Sequence, residues 1–177
     1  KENTKIVINK VVNQFYELKI PTIQSDTLTI IYGELYGGRT SMAKNYGKEK
    51  CGFRVFDIAT ISDLSILEQP IERISAWRES SLNSSVDETL KYGQTFLSRT
   101  ELQEYSTLYD IVPDVPFELG DMTHQTILEN MNKSIPQTLV SLTDTALNKP
   151  EGFVLRNENR TKIVKLRFED YEKTLKP

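Results

Sequence analysis

Residues Phe53 to Ile61 read FRVFDIATI, and this stretch sets the first expectation about the fold. Its β-branched and aromatic residues predict a strand. Thr27 to Tyr36 is rich in the same residue types and predicts a strand that precedes it. Gly37-Gly38 interrupts the pattern, and we expect the polar run from there to Gly52 to be an exposed loop.

The remaining elements follow from apolar periodicity and turn residues. Apolar spacing predicts a helix from about Thr4 to Leu18, which Pro21 ends. Further along, the patterns predict a loop at Asn83–Ser85, helices at Val86–Tyr92, Thr100–Leu108 and Thr123–Ile135, and a final hairpin of strands Gly152–Arg156 and Lys162–Phe168 joined by the turn Asn157–Arg160. This order of strands, helices and hairpin predicts an α+β fold with antiparallel pairing.

Composition narrows the class of protein. The chain has 177 residues, 38% hydrophobic and 27% charged, which is typical of one globular domain. Its net charge of −3 gives no global signature of nucleic-acid binding, although a local basic groove is compatible with it. Cys51 is the single cysteine, so we expect a cytoplasmic or other intracellular reducing compartment. No apolar stretch is long enough to span a bilayer, and we expect no membrane partner.

The predicted hairpin carries paired cations. Lys165 and Arg167 are two residues apart in KIVKLR, so they share one face of their strand. If that face is exposed, the pair is simply solvated; if it faces a pocket, it suits phosphate oxygens. In EGFVLR, alternation places Glu151 with Phe153 and Leu155 on one face, and Val154 with Arg156 on the other.

Two further stretches carry candidate site residues. Phe53 and Phe56 are three apart in FRVFDI, so one can enter the core while the other covers a flat ligand, and Asp57 is expected to point away from Phe56. In IYGELYGGRT, Glu34 ends a strand next to Gly33, which would let a ligand approach closely. Taken alone, FRVFDI is better explained by two phenylalanines in the core, and IYGELYGGRT can be explained by a turn after an edge strand.

The order of these strings resembles one family. GEL-x-GG-R, F-x-x-FDI, EGFVLR and KIVKLR follow one another as four motifs do in the covalent nucleotidyltransferases, the superfamily of polynucleotide ligases and capping enzymes. Within it the chain looks most like the RNA ligase 2 group of RNA-repair ligases. The resemblance implies an antiparallel-sheet nucleotidyltransferase (ATP-grasp-like ligase) catalytic domain, present in part.

Family members attach AMP from ATP to a lysine, transfer it to a 5′-phosphate, and seal with the adjacent 3′-hydroxyl. The resemblance implies that Glu34 binds the ribose hydroxyls and that Phe56, rather than Phe53, stacks on adenine. It implies that Glu151, with Glu34, binds Mg²⁺ or Mn²⁺, or that Glu151 orients the nucleophilic lysine. The remaining implied contacts are with phosphates (Lys165, Arg167), with the nucleotide (Gly33, Gly152) and with RNA (Arg39, Arg156).

The chain departs from the family pattern at its two ends. The nucleophile motif, Lys-x-Asp-Gly or a near variant, is not found; Lys1, in KENT, is the closest candidate and lacks the glycine. We expect that motif to lie upstream, so that residues 1–177 form an adenylylation domain truncated at its N-terminus. Because only a few residues follow Arg167, we expect neither an OB-fold nor another C-terminal domain within residues 1–177.

Three functions are consistent with these observations. The first is an ATP-dependent RNA ligase module that seals broken or nicked RNA. The second is a catalytically silent nucleotide- or RNA-binding remnant. The third is a related DNA ligase or a GTP-dependent capping guanylyltransferase.

Overall fold

The computed structural model describes residues 5, 9, 27–61, 63–75, 95–107, 109–118, 120–121, 123–156 and 163–175. Lys5 and Asn9 are helical, and the rest of the helix predicted from Thr4 to Leu18 lies outside the described residues. Three other predictions also lie outside them: the loop Asn83–Ser85, the helix Val86–Tyr92 and the turn Asn157–Arg160. None of the helices in the described part of the chain is both long and apolar enough to cross a membrane.

Three antiparallel strands form the first sheet, in the order β1-β2-β3. β1 is Leu28–Gly37, β2 is Cys51–Ile61 and β3 is Thr95–Phe96. β1 and β2 pair from end to end, because both are rich in the β-branched and aromatic residues that fit a pleated, half-buried surface. The two strands predicted from the sequence are therefore confirmed, and β2 begins slightly earlier than predicted.

The connection between β1 and β2 contains a short helix, α1, at Ala43–Tyr46. Ala43 and Asn45 are buried, so the prediction of an exposed loop is wrong for this part of the connection. The loop closes where the Gly38 amide donates to the Gly47 carbonyl at 2.8 Å. Gly47 has a φ of 130°, and its amide donates to the Ala43 carbonyl, which ends the helix. This helix could not be predicted from the sequence, because four residues are too few to show a helical periodicity.

A β-bulge at Phe56 changes the direction of the side chains along β2. The β1 residues on either side of the irregularity pair with Asp57 and with Val55, so Phe56 has no partner residue in the register. Val55 and Ile58 are buried in the same cluster although they are three residues apart, which strict alternation would forbid. The expectation that Asp57 points away from Phe56 is therefore wrong, since both lie on the face opposite Val55.

Helix α2, Arg99–Glu104, covers the inner face of this sheet. A capping box between Ser98 and Glu101 stabilises its start. A 3-10 turn follows at Tyr105–Thr107, so the helix predicted to reach Leu108 tightens after Glu104. The cluster buried between sheet and helix consists of Val55, Ile58, Leu102, Tyr109 and Ile111. Between β2 and β3, Leu64–Glu68 form another 3-10 turn and residues 71–75 are helical.

A second sheet is the hairpin of β4, Gly152–Arg156, and β5, Ile163–Arg167. Helices α3, His124–Ser134, and α4, Phe168–Thr174, pack on one of its faces. The strand predicted to include Phe168 ends one residue earlier, because Phe168 begins α4 and is buried. The cluster between hairpin and helices consists of Ile127, Met131, Ile135, Phe153, Leu166 and Phe168. Two antiparallel sheets with helices on one side confirm the α+β class.

Gly152 at the start of β4 is a position that only glycine fits. Its φ is 152°, and a Cβ there would lie 1.9 Å from the Leu166 carbonyl oxygen. We expect Gly152→Ala to lower the free energy of unfolding by about 3 kcal/mol, measured by urea denaturation. Gly120→Ala is the control, because Gly120 also has a positive φ of 50° but a Cβ there would meet no atom closer than 3.4 Å. The same small loss, about 1 kcal/mol, in both variants would contradict the steric explanation.

Candidate functional site

One face of the β1–β2 pair carries aromatic and charged side chains. We call it the outer face; it consists of Tyr32, Glu34 and Tyr36 from β1 and Arg54 and Phe56 from β2. Glu34 lies directly opposite Arg54 in the register. Arg54 Nε donates to the Tyr36 hydroxyl at 3.3 Å, and the Tyr32 and Phe56 ring centroids are 6.4 Å apart. The outer face therefore joins an aromatic pair to a carboxylate and a guanidinium on rigid strands.

The two phenylalanines of FRVFDI lie on opposite faces of β2, as the sequence predicted. Phe53 is half-buried and packs against the inner cluster. Phe56 is 38% exposed and contacts Tyr32 on the outer face. An exposed ring on a strand can provide a stacking platform for a flat base. Of the two rings, Phe56 is therefore the one placed to meet a ligand.

Position 33 is occupied by glycine for a different reason from the one expected. A Cβ at Gly33 would lie 2.2 Å from a ring atom of Phe53, on the inner face of the sheet. The residue is thus glycine because the Phe53 ring crosses it, whereas Glu34 next to it points to the outer face. Contact of a ligand with the Gly33 backbone stays a prediction.

An ion pair joins the hairpin to the first sheet. Arg156 Nη1 lies 2.8 Å from Asp57 Oδ1 and 3.4 Å from the Phe56 carbonyl oxygen. The Asp57 side chain is 5% exposed and that of Arg156 is 25% exposed. One nitrogen of the Arg156 guanidinium is therefore engaged within the protein and holds β4 against β2. The contact of Arg156 with RNA that the sequence predicts stays a prediction.

Lys165 and Arg167 lie on the hairpin face that carries Arg156. Phe153 and Leu166 are directly paired, and both are buried in the cluster between the hairpin and its helices. The residues that alternate with them therefore lie on the opposite face of the hairpin. Since Arg156 reaches the sheet from that other face, Lys165 and Arg167 also lie on the side of the hairpin turned towards β2. Both side chains are exposed and make no hydrogen bond or ion pair with the rest of the described chain.

Tyr46 is bonded to one candidate acid, Glu151, and packs against the strand that carries the other, Glu34. Its hydroxyl donates to Glu151 Oε1 at 3.0 Å, although the residues are 105 positions apart. Burial raises the pKa of the Tyr46 phenol, and the charge of Glu151, their hydrogen bond and the charge of Glu34 raise it further. Both carboxylates therefore act electrostatically on one hydroxyl. Sequence reasoning missed Tyr46, since it lies in the loop that was expected to be exposed.

The arrangement of oxygen ligands suits a magnesium nucleotide better than an ion bound by protein alone. No group of three or more His, Cys, Asp or Glu side chains is placed to hold a metal ion within the described part of the chain. Glu151 has one carboxylate oxygen bonded to Tyr46 and a second oxygen without a hydrogen bond to a described residue. Mg²⁺ is commonly bound by one or two carboxylates together with substrate phosphates. Glu34 and Glu151 fit that requirement.

For two further candidate site residues, Arg39 and Lys1, the structure gives little information about their roles. Arg39 is exposed in the turn after β1, and it makes no hydrogen bond or ion pair with another described residue. Lys1 lies outside the described residues. Contact of Arg39 with RNA and attack by Lys1 both stay predictions.

The ion pair between Arg156 and Asp57 makes a testable contribution to stability. We expect Arg156→Met to lower the free energy of unfolding by about 2 kcal/mol, because it removes the cation that faces a buried carboxylate. Arg99→Met is the matched control: Arg99 Nε lies 2.7 Å from Asp114 Oδ2, but that carboxylate is 67% exposed. Its loss should stay below about 1 kcal/mol. Urea denaturation measures both, and equal losses would contradict the role given to Arg156.

Comparison with known proteins identifies the family of the chain. A model of the RNA ligase family matches residues 5–175, which is nearly the whole chain. No curated protein and no solved structure gives a match. The match spans the outer face, α1 and the hairpin with its cations. The chain belongs to the RNA ligase family.

Proposed function

We propose that this chain is the adenylylation domain of an ATP-dependent RNA ligase with the nucleotidyltransferase fold, and that ATP binds between its two sheets. The observation that carries the proposal is the hydrogen bond from Tyr46 to Glu151, because the Tyr46 ring packs against Tyr36, which shares the outer face of β1 with Glu34. An exposed aromatic ring lies on the same face, and the paired cations lie on the hairpin. The family match supports RNA as the polynucleotide.

Each end of the nucleotide has a matching group. Phe56 offers its ring to adenine, and Glu34 accepts hydrogen bonds from the ribose hydroxyls. Lys165 and Arg167, on the facing side of the hairpin, contact the phosphates. Rigid strands hold all four side chains, so their geometry is set before ATP binds.

Phosphoryl transfer depends mainly on positioning and charge neutralisation. In the proposed first step a lysine nitrogen attacks the α-phosphorus of ATP, a phosphoramide bond forms and pyrophosphate leaves. An oxygen of the RNA 5′-phosphate then attacks the AMP phosphorus, the nitrogen–phosphorus bond breaks and the lysine is released. Finally the 3′-hydroxyl attacks the 5′-phosphate, a phosphodiester bond forms and AMP leaves. Lys165 and Arg167 balance the charge that develops on the phosphate oxygens. When bound, Mg²⁺ would add to that neutralisation, and Glu151 with Glu34 would hold it.

Two substrates test the proposal in the full-length protein. Radiolabelled ATP with Mg²⁺ should leave label on the protein after denaturation, whereas labelled GTP should not. Nicked RNA with a pre-adenylated 5′ end should be sealed and release AMP without ATP, because that step does not need the attacking lysine. Label from GTP alone would point to a capping enzyme, and sealing of DNA only would point to a DNA ligase. Binding of ATP or RNA without label and without sealing would contradict the proposal and favour a silent remnant.

A further inference from the structure

Tyr46 is held in place from several sides. Its ring packs edge-on against Tyr36, with centroids 5.4 Å apart. Its carbonyl accepts a hydrogen bond from the Leu142 amide at 2.7 Å, and the next residue closes α1 through the Gly47 amide. Its hydroxyl donates a hydrogen bond to Glu151 Oε1 at 3.0 Å. A side chain fixed by ring, backbone and hydroxyl can impose its geometry on the group it bonds.

The segment that carries Glu151 is anchored to the same helix. Residues 138–149, which we call the strap, run along α1 and lead directly into Pro150 and Glu151. The Leu147 amide donates to the Lys44 carbonyl at 2.9 Å, and the Asn148 amide donates to the Asn45 carbonyl at 3.1 Å. Just beyond the strap, the Phe168 amide donates to the Glu151 carbonyl at 3.1 Å. Main-chain anchoring therefore brings Glu151 to α1, and the Tyr46 hydroxyl then determines how its carboxylate is turned.

We infer that Tyr46 is a positioning residue for Glu151: by holding Oε1, it leaves Oε2 directed to the divalent ion that accompanies the nucleotide. The inference rests on the proposed function for its metal and substrate. Groups that orient a metal-binding carboxylate by hydrogen bonding commonly contribute 10-fold to 100-fold to metal affinity or activity. Tyr46 belongs to this class because its hydroxyl bonds the acid while its ring and its carbonyl contact Tyr36 and Leu142.

Tyr46→Phe removes the hydroxyl and keeps the ring. We expect the rate constant for sealing pre-adenylated RNA to fall about 10-fold, with the KM for RNA unchanged within about twofold. The Kd for Mn²⁺ in the presence of a non-hydrolysable ATP analogue, measured by electron paramagnetic resonance, should rise by about the same factor. Tyr109→Phe is the matched control, because the Tyr109 hydroxyl is buried and has no hydrogen-bond partner among the described residues. It should match the wild type in both assays.

A double variant separates positioning from a merely structural role. If Tyr46 acts through Glu151, Tyr46→Phe should add little to the loss that Glu151→Gln causes alone. Additive losses, or a Mn²⁺ Kd in Tyr46→Phe equal to that of the wild type, would overturn the inference. The inference would also be overturned if the activity loss in Tyr46→Phe were explained by a lower midpoint of its urea unfolding, because the role of Tyr46 would then be structural. A wild-type protein that seals no RNA would reject the proposed function instead, while the Mn²⁺ measurement would still report on Tyr46.

Discussion

Replacement of Lys165 by alanine is expected to slow the sealing of pre-adenylated RNA by about 100-fold to 1,000-fold. Lys165 is exposed on the hairpin face turned towards β2, with Arg167 beside it on the same strand. Its ammonium has no hydrogen bond or ion pair within the described chain, so it is available to phosphate oxygens. The developing charge in phosphoryl transfer makes such a cation most effective in the transition state. Single-turnover kinetics at saturating Mg²⁺ measure the loss.

Lys133 provides the matched control for this experiment. It is also exposed, at 77% of its side chain, but it lies on α3 and its amine is 3.8 Å from Glu118. Lys133→Ala should keep the rate within about twofold of the wild type, as surface substitutions usually do. Rates that are equal in Lys165→Ala and Lys133→Ala would contradict the assignment of Lys165 to the phosphates.

Replacement of Glu34 by alanine is expected to weaken binding of an ATP analogue by about 100-fold and to abolish visible labelling by ATP. Two hydrogen bonds from ribose hydroxyls to a carboxylate account for a loss of this size, since each bond to a charged group contributes about 1.5 kcal/mol or more. The Glu34 side chain is exposed on the outer face and makes no hydrogen bond or ion pair with a described residue, so both carboxylate oxygens are available. Isothermal titration measures the affinity.

Inorganic tripolyphosphate distinguishes a ribose contact from a general electrostatic effect. The titration is made without Mg²⁺, so that metal binding by Glu34 does not contribute. Because tripolyphosphate lacks the ribose, its affinity should then be unchanged, or should rise slightly, in Glu34→Ala. Glu129→Ala is the control, since Glu129 is an exposed carboxylate on α3 that accepts only from Gln125 in the described chain. A parallel loss of affinity for tripolyphosphate and for the ATP analogue would count against the role of Glu34.

Strand positions and the candidate acids and cations could be predicted from the sequence, because they depend on local patterns. β1, β2 and the hairpin carry the residue types that favour strands, and the spacing of Lys165 and Arg167 places them on one face whatever the tertiary structure. The order of four motifs then linked these segments to one family, which the family match confirms.

The bulge at Phe56 could not be predicted, because no glycine or proline marks it. It depends on how β2 meets β1, with one extra residue between two paired positions. Its effect is to place Asp57 where Arg156 can reach it from the hairpin. This contact between distant segments gives Arg156 a structural role that its position in EGFVLR did not indicate.

The place of Tyr46 in the candidate site could not be predicted, for a similar reason. α1 is short, and its burial comes from the strap, which lies about a hundred residues further along the chain. The signal was nonetheless present: a tyrosine and a glycine interrupt a run of lysines and other polar residues between two strands. An aromatic side chain in a polar connection is better interpreted as a buried anchor than as part of an exposed loop.

A crystal structure of the protein with a non-hydrolysable ATP analogue and Mg²⁺ tests the central claim most directly. We expect the adenine ring to stack on Phe56 with centroids within about 5 Å. We also expect Lys165 Nζ to lie about 3 Å from a phosphate oxygen, while Glu34 and Glu151 face the same nucleotide. A nucleotide bound elsewhere, with Phe56 and Lys165 both free of contact, would contradict it.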